Sequence, residues 1–314
     1  MRAVVTGGAG FIGSNLVRLL VEQGDDVAVV DDLSSGYREN LAGLAEIQLH
    51  EGDVRDGELL ERVFAGVDIV FHLGAAVGNL QSIEDPERDT AINAVGTLRV
   101  LEAARRCGVR KVIYSSSAAI FGELKHLPIR EDHPIAPNSP YGVSKLAGEK
   151  MCLAYAMLYE LEAVCLRYFN VYGINQRFDA YGNVIPIFVH RLLRGEPLWI
   201  FSDGEQTRDF VNVADVAGAN ICAARVEGVS GAFNVASGRS ITINRLVELL
   251  ARASGGEPEV EYRPPRPGDV RDSLADVSEI ERQLGWAPQV GLEAGLAEYV
   301  DWMRSDPVSA RGAG

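Results

Sequence analysis

The sequence predicts an α/β fold, in which a doubly wound parallel sheet is followed by a smaller mixed α/β domain. Short runs rich in β-branched residues alternate with helical stretches over the first half of the chain. These runs are continuously apolar, which is typical of strands covered on both faces of a parallel sheet. The alternation loosens after Phe169, which indicates a second unit of different construction.

Six strands are predicted in the first half and two long helices in the second. We expect the first domain to span 1–169, completed by part of 209–236, and the second to comprise 170–208 and 237–314. The second contains two predicted loops, 170–183 and 262–269. The strands are 2–7, 26–32, 47–53, 68–75, 111–117 and 163–169, and the helices are 184–195 and 241–254.

Composition excludes several classes of protein. A formal net charge of -14 over 314 residues would repel a phosphate backbone, so no nucleic-acid partner is expected. No apolar run reaches the roughly 18 residues of a membrane span, and no signal peptide precedes the first strand, so we expect a cytoplasmic protein. The four cysteines lack CxxC spacing and the five histidines lack ligand spacing, so no metal is predicted.

A glycine-rich stretch, "TGGAGFIG", follows the first strand and opens a helix. Glycine at 7, 10 and 13 allows a tight turn and close approach to a pyrophosphate at the helix N-terminus. Asp31 ends the second strand, where a carboxylate can accept from both ribose hydroxyls. It would repel a 2′-phosphate, and the nearest arginine is Arg38, so the Rossmann-type pattern favours NAD over NADP.

The stretch "SPYGVSKLAGEK", residues 139–150, reads as a helix start with Tyr141 and Lys145 one turn apart. An ammonium about 4 Å from a phenolate stabilises it by roughly 4 kcal/mol. That would lower the tyrosine pKa from about 10 toward 7 if desolvation does not oppose it, which suits a general base. Ser117, at the end of the preceding strand, is a candidate partner. The alternative is an ordinary pair on a helix surface.

The motifs "TGGAGFIG", "FHLGAA", "NAVGT", "YSSSAAIFG", "YGVSK" and "RYFNVYG" occur in this order. Together they resemble the extended short-chain dehydrogenase/reductase superfamily, in particular its NAD-dependent nucleotide-sugar epimerases and dehydratases. The resemblance implies that Ser117, Tyr141 and Lys145 form the catalytic trio and that Lys145 also holds the nicotinamide ribose. It implies NAD contacts from Gly7, Gly10, Phe11, Ile12, Gly13, Asp31, Asp32, Ser35, Gly36, Asp53, Val54, Leu73, Ala75, Ala76, Asn93, Ser115, Tyr141, Lys145 and Tyr168.

The residues after Ser117 distinguish members of that superfamily. Its 4,6-dehydratases carry Asp-Glu there and its decarboxylases a glutamate at the second position, whereas this chain has Ala118 and Ala119. The resemblance is therefore closest to the UDP-galactose 4-epimerases, which imply C4 epimerisation of a UDP-hexose through a 4-keto intermediate. A UDP-glucuronate 4-epimerase, a decarboxylase or dehydratase, and an NAD-sensing regulator remain alternatives.

The second half supplies the residues expected to bind the nucleotide sugar. The resemblance places Arg208 and Arg266 on the pyrophosphate, Asp269 on the nucleoside ribose and Ser273 near C2 of the sugar. Arg177 either pairs with a C6 carboxylate or is exposed. The expected substrate contacts are Ser117, Asn170, Arg177, Asn183, Val184, Phe201, Arg208, Arg266, Asp269 and Ser273.

A homodimer is also implied by the resemblance. The contact would use the helix that follows Lys145 and its neighbour around 87–107. Apolar residues in "MCLAYAMLYE" spread around more of the helix than one sheet face can cover.

Overall fold

The computed structural model describes residues 1–44, 46–178, 183–265 and 270–306. Its strands are β1 (Arg2–Thr6), β2 (Asp26–Asp31), β3 (Gln48–Glu51), β4 (Ile69–His72), β5 (Lys111–Ser117), β6 (Glu162–Tyr168), β7 (Asn170–Tyr172), β8 (Leu198–Phe201), β9 (Thr207–Asn212), β10 (Gly231–Val235), β11 (Ser240–Thr242) and β12 (Val260–Arg263).

Eleven α-helices occur in the described residues. They are α1 (Phe11–Glu22), α2 (Gly57–Phe64), α3 (Asn79–Glu84), α4 (Pro86–Thr90), α5 (Thr97–Arg106), α6 (Pro140–Leu158), α7 (Val184–Leu193), α8 (Val213–Arg225), α9 (Ile243–Ser254), α10 (Ser278–Leu284) and α11 (Leu292–Ser305). A π-helical segment, Ala91–Gly96, joins α4 to α5, and short 3₁₀ helices form at Arg38–Leu41 and Ala118–Ile120.

The central sheet has seven parallel strands in the order β10-β6-β5-β4-β1-β2-β3. Strand β1 lies in the interior, where Val4 is in register with Ala28 on one side and Val70 on the other. All six predicted strands of the first half belong to this sheet, so the predicted doubly wound α/β fold is confirmed. Strand β10 comes from the segment 209–236 and pairs with β6 at the edge.

Helices cover both faces of the sheet. Val5 of β1 packs in one core with the apolar faces of α1 and α8, whereas its neighbour Val4 packs in a second core with α2, α5 and α6. Successive side chains of a strand point to opposite faces, so a strand buried on both needs apolar residues at every position. This explains the continuous apolar runs of the sequence. Cys152 and Cys165 are buried in the second of these cores.

The second half forms two small sheets around a third core. The first has the order β11-β9-β7 and the second pairs β12 with β8 in parallel. Their core is shared with α7, α9 and α11. The two predicted loops are partly wrong, because 170–172 forms β7 and 262–263 belongs to β12. Among the helices of the described ranges, none is both long and apolar enough to cross a membrane.

Candidate active site

The glycine-rich loop connects β1 to α1 and packs against the loop after β4. Gly7 has φ +68°, and a Cβ there would lie 2.6 Å from the Gly74 nitrogen. At Gly13 a Cβ would lie 2.0 Å from the Gly7 oxygen. Gly10 caps α1 without any side-chain hydrogen bond, so the first amides of this helix face outward uncapped. Phe11 and Ile12 begin the helix. A narrow cradle without side chains at a helix N-terminus fits a pyrophosphate.

Asp31 lies at the end of β2 beside this loop. Its Oδ2 accepts from the Ala9 amide at 2.8 Å and its Oδ1 from the Leu33 amide at 2.9 Å. Burial raises the pKa of Asp31, and these two amides oppose the shift. A Cβ at Gly36 would lie 2.9 Å from Asp31 Oδ1, so the backbone passes close to the carboxylate. Asp31 thus fixes the loop and keeps lone pairs for ribose hydroxyls.

Arg38 is the arginine closest in sequence to Asp31 on its C-terminal side, and it pairs with Glu51. The pair is exposed to solvent. Asp32 accepts from the Ser34 amide and hydroxyl, and Ser35 is exposed beside it.

Asp53 stands at the turn after β3. Its carboxylate oxygens accept hydrogen bonds from the Arg55 guanidinium at 2.5 to 3.0 Å, which lowers the pKa of Asp53. The expected NAD contact of Asp53 therefore stays a prediction. Val54 is buried. A Cβ at either Gly74 or Gly96 would lie 2.9 Å from one of its methyl carbons.

Asn93 organises the loop that follows β4. Its Oδ1 accepts from the Ala76 amide at 2.9 Å and its Nδ2 donates to the Ala76 oxygen at 2.9 Å. The same Nδ2 lies 3.0 Å from Asp89 Oδ1 and 3.1 Å from Ser144 Oγ. Leu73 donates to the Thr6 oxygen at 3.1 Å. The segment containing Leu73, Ala75 and Ala76 is therefore held between the glycine-rich loop and α6.

The three predicted catalytic side chains meet at the end of β5. Ser139 caps α6 by accepting from the Gly142 amide at 3.1 Å, and the Tyr141 amide donates to Ser82 Oγ at 3.1 Å. The Ser117 hydroxyl lies near the Tyr141 phenol and favours its ionised form. Ser117 also accepts from the Ala119 amide at 3.2 Å, which starts the 3₁₀ helix.

Lys145 is buried one turn beyond Tyr141. Its ammonium donates to Ser115 Oγ at 3.4 Å and lies 4.7 Å from the centre of the Tyr114 ring. Within the described residues this is the only hydrogen bond of its three donors, which leaves capacity for ribose hydroxyls.

The electrostatics of Tyr141 differ from the prediction. Burial raises the pKa of Tyr141, the Ser117 hydroxyl opposes this, and the charge of Asp89 adds to the increase. The condition for the predicted lowering, that desolvation does not oppose it, is therefore not met in the protein alone. Burial also lowers the pKa of Lys145 to about 8, while Asp89 favours its charged form.

Tyr168 lies at the end of β6 and points its hydroxyl into the core. The hydroxyl donates to Asn220 Oδ1 at 3.1 Å, and burial raises the pKa of Tyr168. Its hydroxyl is therefore engaged with α8, and only its ring and backbone remain for a cofactor contact.

Three predicted substrate residues of the second half, Asn170, Arg208 and Ser273, lie on or beside β9. Asn170 of β7 donates through Nδ2 to the Asp209 oxygen at 3.0 Å, beside Arg208. Ser273 is buried in a segment that runs along β9, since the Thr207 amide donates to the Arg271 oxygen at 3.0 Å. Phe201 ends β8 and is partly buried, and Asn183 and Val184 begin α7. Arg266 and Asp269 lie outside the described residues.

Arg177 is the clearest correction among these residues. It was expected either to pair with a sugar carboxylate or to be exposed, and it does neither. Its side chain is 9% exposed and forms a two-pronged ion pair with Asp306, at 3.0 Å for each contact. A guanidinium already paired in the interior is not available to a substrate carboxylate.

Asp209 was not singled out from the sequence. Its carboxylate accepts from Ser237 Oγ at 2.6 Å and from the amides of Ser237, Gly238 and Ala275. Burial raises the pKa of Asp209, and these hydrogen bonds oppose the shift. It joins three segments next to the substrate residues. The available signal was a carboxylate directly before the apolar pair Phe210 and Val211.

No group of three or more potential metal ligands occurs within the described ranges. The remaining evidence on identity comes from comparison with known proteins. Residues 3–236 match the NAD dependent epimerase/dehydratase family. The chain belongs to this family. NAD is its cofactor, in agreement with the glycine-rich loop and Asp31.

Proteins of this kind align with nearly the whole chain. A UDP-glucose 4-epimerase of Mycolicibacterium smegmatis is 40% identical over 310 residues, covering 97% of this chain and 99% of the relative. The structure of a Thermotoga maritima UDP-glucose 4-epimerase with UDP-glucose has a TM-score of 0.92 at 43% identity, covering 97% of this chain and 99% of that chain.

A second solved structure is a UDP-N-acetylglucosamine 4-epimerase from Methanobrevibacter ruminantium in complex with UDP-N-acetylmuramic acid. It has a TM-score of 0.93 at 38% identity and covers 97% of this chain and 98% of that chain. The two structural relatives thus carry different UDP-sugars on one fold.

Proposed function

We propose that this protein is an NAD-dependent 4-epimerase of a UDP-hexose. The observation that carries the proposal is the composition of the site at the end of β5. Ser117 and Tyr141 are neighbours there, and the next two side chains, Ala118 and Ala119, can neither donate nor accept a proton. The site has the groups for moving a hydride and a proton at one carbon, without the added acid and base of an elimination.

The reaction follows from these groups. Tyr141 takes the proton of the C4 hydroxyl, and Ser117 holds the same oxygen by a hydrogen bond. When bound, NAD supplies the hydride acceptor and a positively charged ring that favours the phenolate of Tyr141. The bound cofactor would also return the hydride to the other face of the sugar carbon, and Tyr141 would return the proton to its oxygen. Lys145, fixed against Ser115, holds the nicotinamide ribose.

The nucleotide part is assigned to the second half of the chain. Arg208 and Asn170 are adjacent through the backbone of Asp209 and would pair with the diphosphate. Arg208 already donates to the Thr207 oxygen at 2.8 Å, which directs its guanidinium along β9.

A neutral sugar fits better than a uronate. Arg177 was the cation that favoured a carboxylate at C6, and it is paired with Asp306. Ser273 presents a small side chain at the position assigned to C2, so an N-acetyl group is sterically acceptable. We therefore propose UDP-glucose and UDP-galactose as substrates, with their 2-acetamido derivatives as the second candidates.

The test is to incubate the purified protein with single UDP-sugars and follow the products by NMR. We expect interconversion of UDP-glucose and UDP-galactose with no release of water or carbon dioxide. A dehydrated or decarboxylated product would overturn the proposal, and so would NAD binding without turnover of any UDP-hexose. Tyr141→Phe serves as the inactive control.

A further inference from the structure

The loop after β7 joins the last described helix through Arg177. The guanidinium contacts both carboxylate oxygens of Asp306, and the two side chains are 9% and 6% exposed. It is also sandwiched by aromatic rings, 4.4 Å from the centre of Tyr37 and 5.6 Å from that of Trp302. Arginine is suited to such a place because its planar group can pair and stack at once.

A third contact connects Arg177 to the cofactor loop. Its Nη1 donates to Asn40 Oδ1 at 2.6 Å, and Asn40 Nδ2 donates to the Ala9 oxygen at 2.8 Å. Ala9 belongs to the glycine-rich loop, and its amide donates to Asp31 at 2.8 Å. An unbroken series of hydrogen bonds therefore runs from Asp306 through Arg177, Asn40 and Ala9 to Asp31.

The same loop is fastened to α1 at two further points. Asn15 Nδ2 donates to the Ile174 oxygen at 2.9 Å, and Asn175 Nδ2 donates to Ser14 Oγ at 3.0 Å. The segment 174–177 thus lies along the first turns of the helix whose N-terminus faces the pyrophosphate. A change in this segment would be transmitted to the loop at Ala9 and to the ribose carboxylate.

We propose that Arg177 is a positioning residue for the cofactor: with Asp306 and Asn40 it forms a strap that holds the glycine-rich loop in its NAD-binding conformation and slows NAD release. The strap begins in the second half of the chain and ends on Asp31. The proposal concerns NAD binding and does not depend on which sugar is epimerised.

The strap is tested by NAD retention in the absence of any sugar. Holoprotein carrying Arg177→Met is compared with Arg282→Met, which removes an exposed two-pronged pair with Glu279 on α10. We expect NAD to leave the Arg177 variant about tenfold faster than wild type, a change within the usual range of coupling between sites. The Arg282 variant should retain NAD like wild type.

Two further variants separate positioning from general stability. Asn40→Asp keeps an acceptor for Arg177 and removes the donor to Ala9, so the ion pair survives while its link to the loop is lost. Asp306→Asn keeps the shape and removes the charge. Both should also speed NAD release, and they decide the question if Arg177→Met does not fold. Release rates equal to that of Arg282→Met in the folded variants would overturn the proposal, even if their melting temperatures fell.

Discussion

At the scale of single residues, burial decides the chemistry of the site more than charge does. Tyr141 and Lys145 lie one turn apart, as their spacing predicts, yet the pKa of Tyr141 is raised and that of Lys145 is lowered to about 8. Both shifts favour the neutral form, which is the effect of removing water from either group. Sequence spacing shows that two groups are neighbours, but it does not show how deeply they are buried.

The role of Tyr141 gives the first prediction. Tyr141→Phe removes the proton acceptor alone, so turnover should fall by at least about a hundredfold while NAD is still bound. Initial rates by NMR and NAD content after desalting measure the two properties. Tyr155→Phe, in the same helix, removes a hydroxyl that bonds Glu102 and should keep normal turnover. A tenfold or smaller loss in Tyr141→Phe would remove it from this role.

Lys145 gives a prediction about stability and pH. Its pKa is about 8 in the folded protein and about 10.4 when unfolded, so unfolding binds a proton between these values. The stability contributed by this site therefore rises as pH increases from 8 to 10, by up to about 3 kcal/mol. In denaturant titrations of NAD-free protein, the free energy of unfolding of wild type should therefore increase relative to that of Lys145→Met as pH rises over this window. The control Lys150→Met, which alters an exposed lysine, should behave like wild type. Parallel curves for wild type and Lys145→Met would contradict the assignment.

Arg177 shows which residues cannot be interpreted from the sequence. Its partner Asp306 is 129 positions away, and nothing local indicates that the two meet. Ser117, Tyr141 and Lys145 could be selected as candidates because each lies in a motif at a strand end or a helix start. Long-range pairing depends on how the two halves of the chain pack, which periodicity does not report.

At the scale of elements, the glycine-rich turn is set by contacts within the backbone. A Cβ at Gly13 would lie 2.0 Å from the Gly7 oxygen, so Gly13→Ala must push the loop away from α1. We expect the variant to fold and to lose NAD on desalting. Gly57→Ala, where a Cβ meets nothing within 4 Å, should keep its NAD. Normal NAD content in Gly13→Ala, determined by absorbance after extraction, would show that the loop accommodates a side chain.

Helix α6 is fixed to the sheet by a buried ion pair. Arg167 of β6 contacts both carboxylate oxygens of Glu149 at 2.8 and 3.0 Å, and the Ser116 hydroxyl donates to the same carboxylate at 2.7 Å. Glu149→Gln would leave the guanidinium buried with a neutral partner. Breaking such a pair typically costs 3 to 5 kcal/mol, so the free energy of unfolding should fall by about 3 kcal/mol.

Denaturant titration measures this loss. Glu279→Gln, which alters an exposed pair with Arg282, should leave the free energy of unfolding unchanged. Equal stabilities for the two variants would mean that the buried pair contributes no more than a surface pair.

The strands of the central sheet could be predicted from the sequence better than those of the second half. The strands of the central sheet were recognisable because each is continuously apolar and followed by a helical stretch. The strands of the second half are short and partly exposed: β11 has three residues and β12 has four. Their pairing joins distant segments, since β8 and β12 are separated by α8 and α9. The local sequence pattern therefore predicted a mixed α/β domain, but it could not predict the order in which the strands pair.

At the scale of the whole molecule, the candidate site lies where the strand order of the sheet reverses. Strands β1 and β4 are neighbours, and the chain proceeds outward from β1 to β3 on one side and from β4 to β10 on the other. The loops leaving neighbouring strands separate there and open a crevice at their carboxyl ends. The glycine-rich loop, the segment 73–76 and the end of β5 all leave the sheet at this edge, and β7 and β9 carry two of the proposed substrate residues.

The outer surface of α5 and α6 carries several exposed apolar side chains. The two helices pack together, and together with the π-helical segment they leave five aliphatic or thioether side chains exposed, with Met157 81% and Leu158 69% accessible. The others are Val95, Leu98 and Val143. We call these five residues the apolar face. The apolar residues of "MCLAYAMLYE" thus divide between the core and solvent, since Met151, Leu153 and Tyr155 pack inward.

The last prediction is that a second copy of the chain covers the apolar face. Burying it would remove aliphatic surface from water at roughly 25 cal/mol per Å², and a large exposed patch on a soluble protein usually marks such an interface. Wild type should sediment as a dimer at micromolar concentration, and Val95→Glu with Leu98→Glu should yield a folded monomer because two carboxylates would face their own copies. Tyr262→Glu, on exposed β12, should remain dimeric. A monomeric wild type in analytical ultracentrifugation would refute the interface.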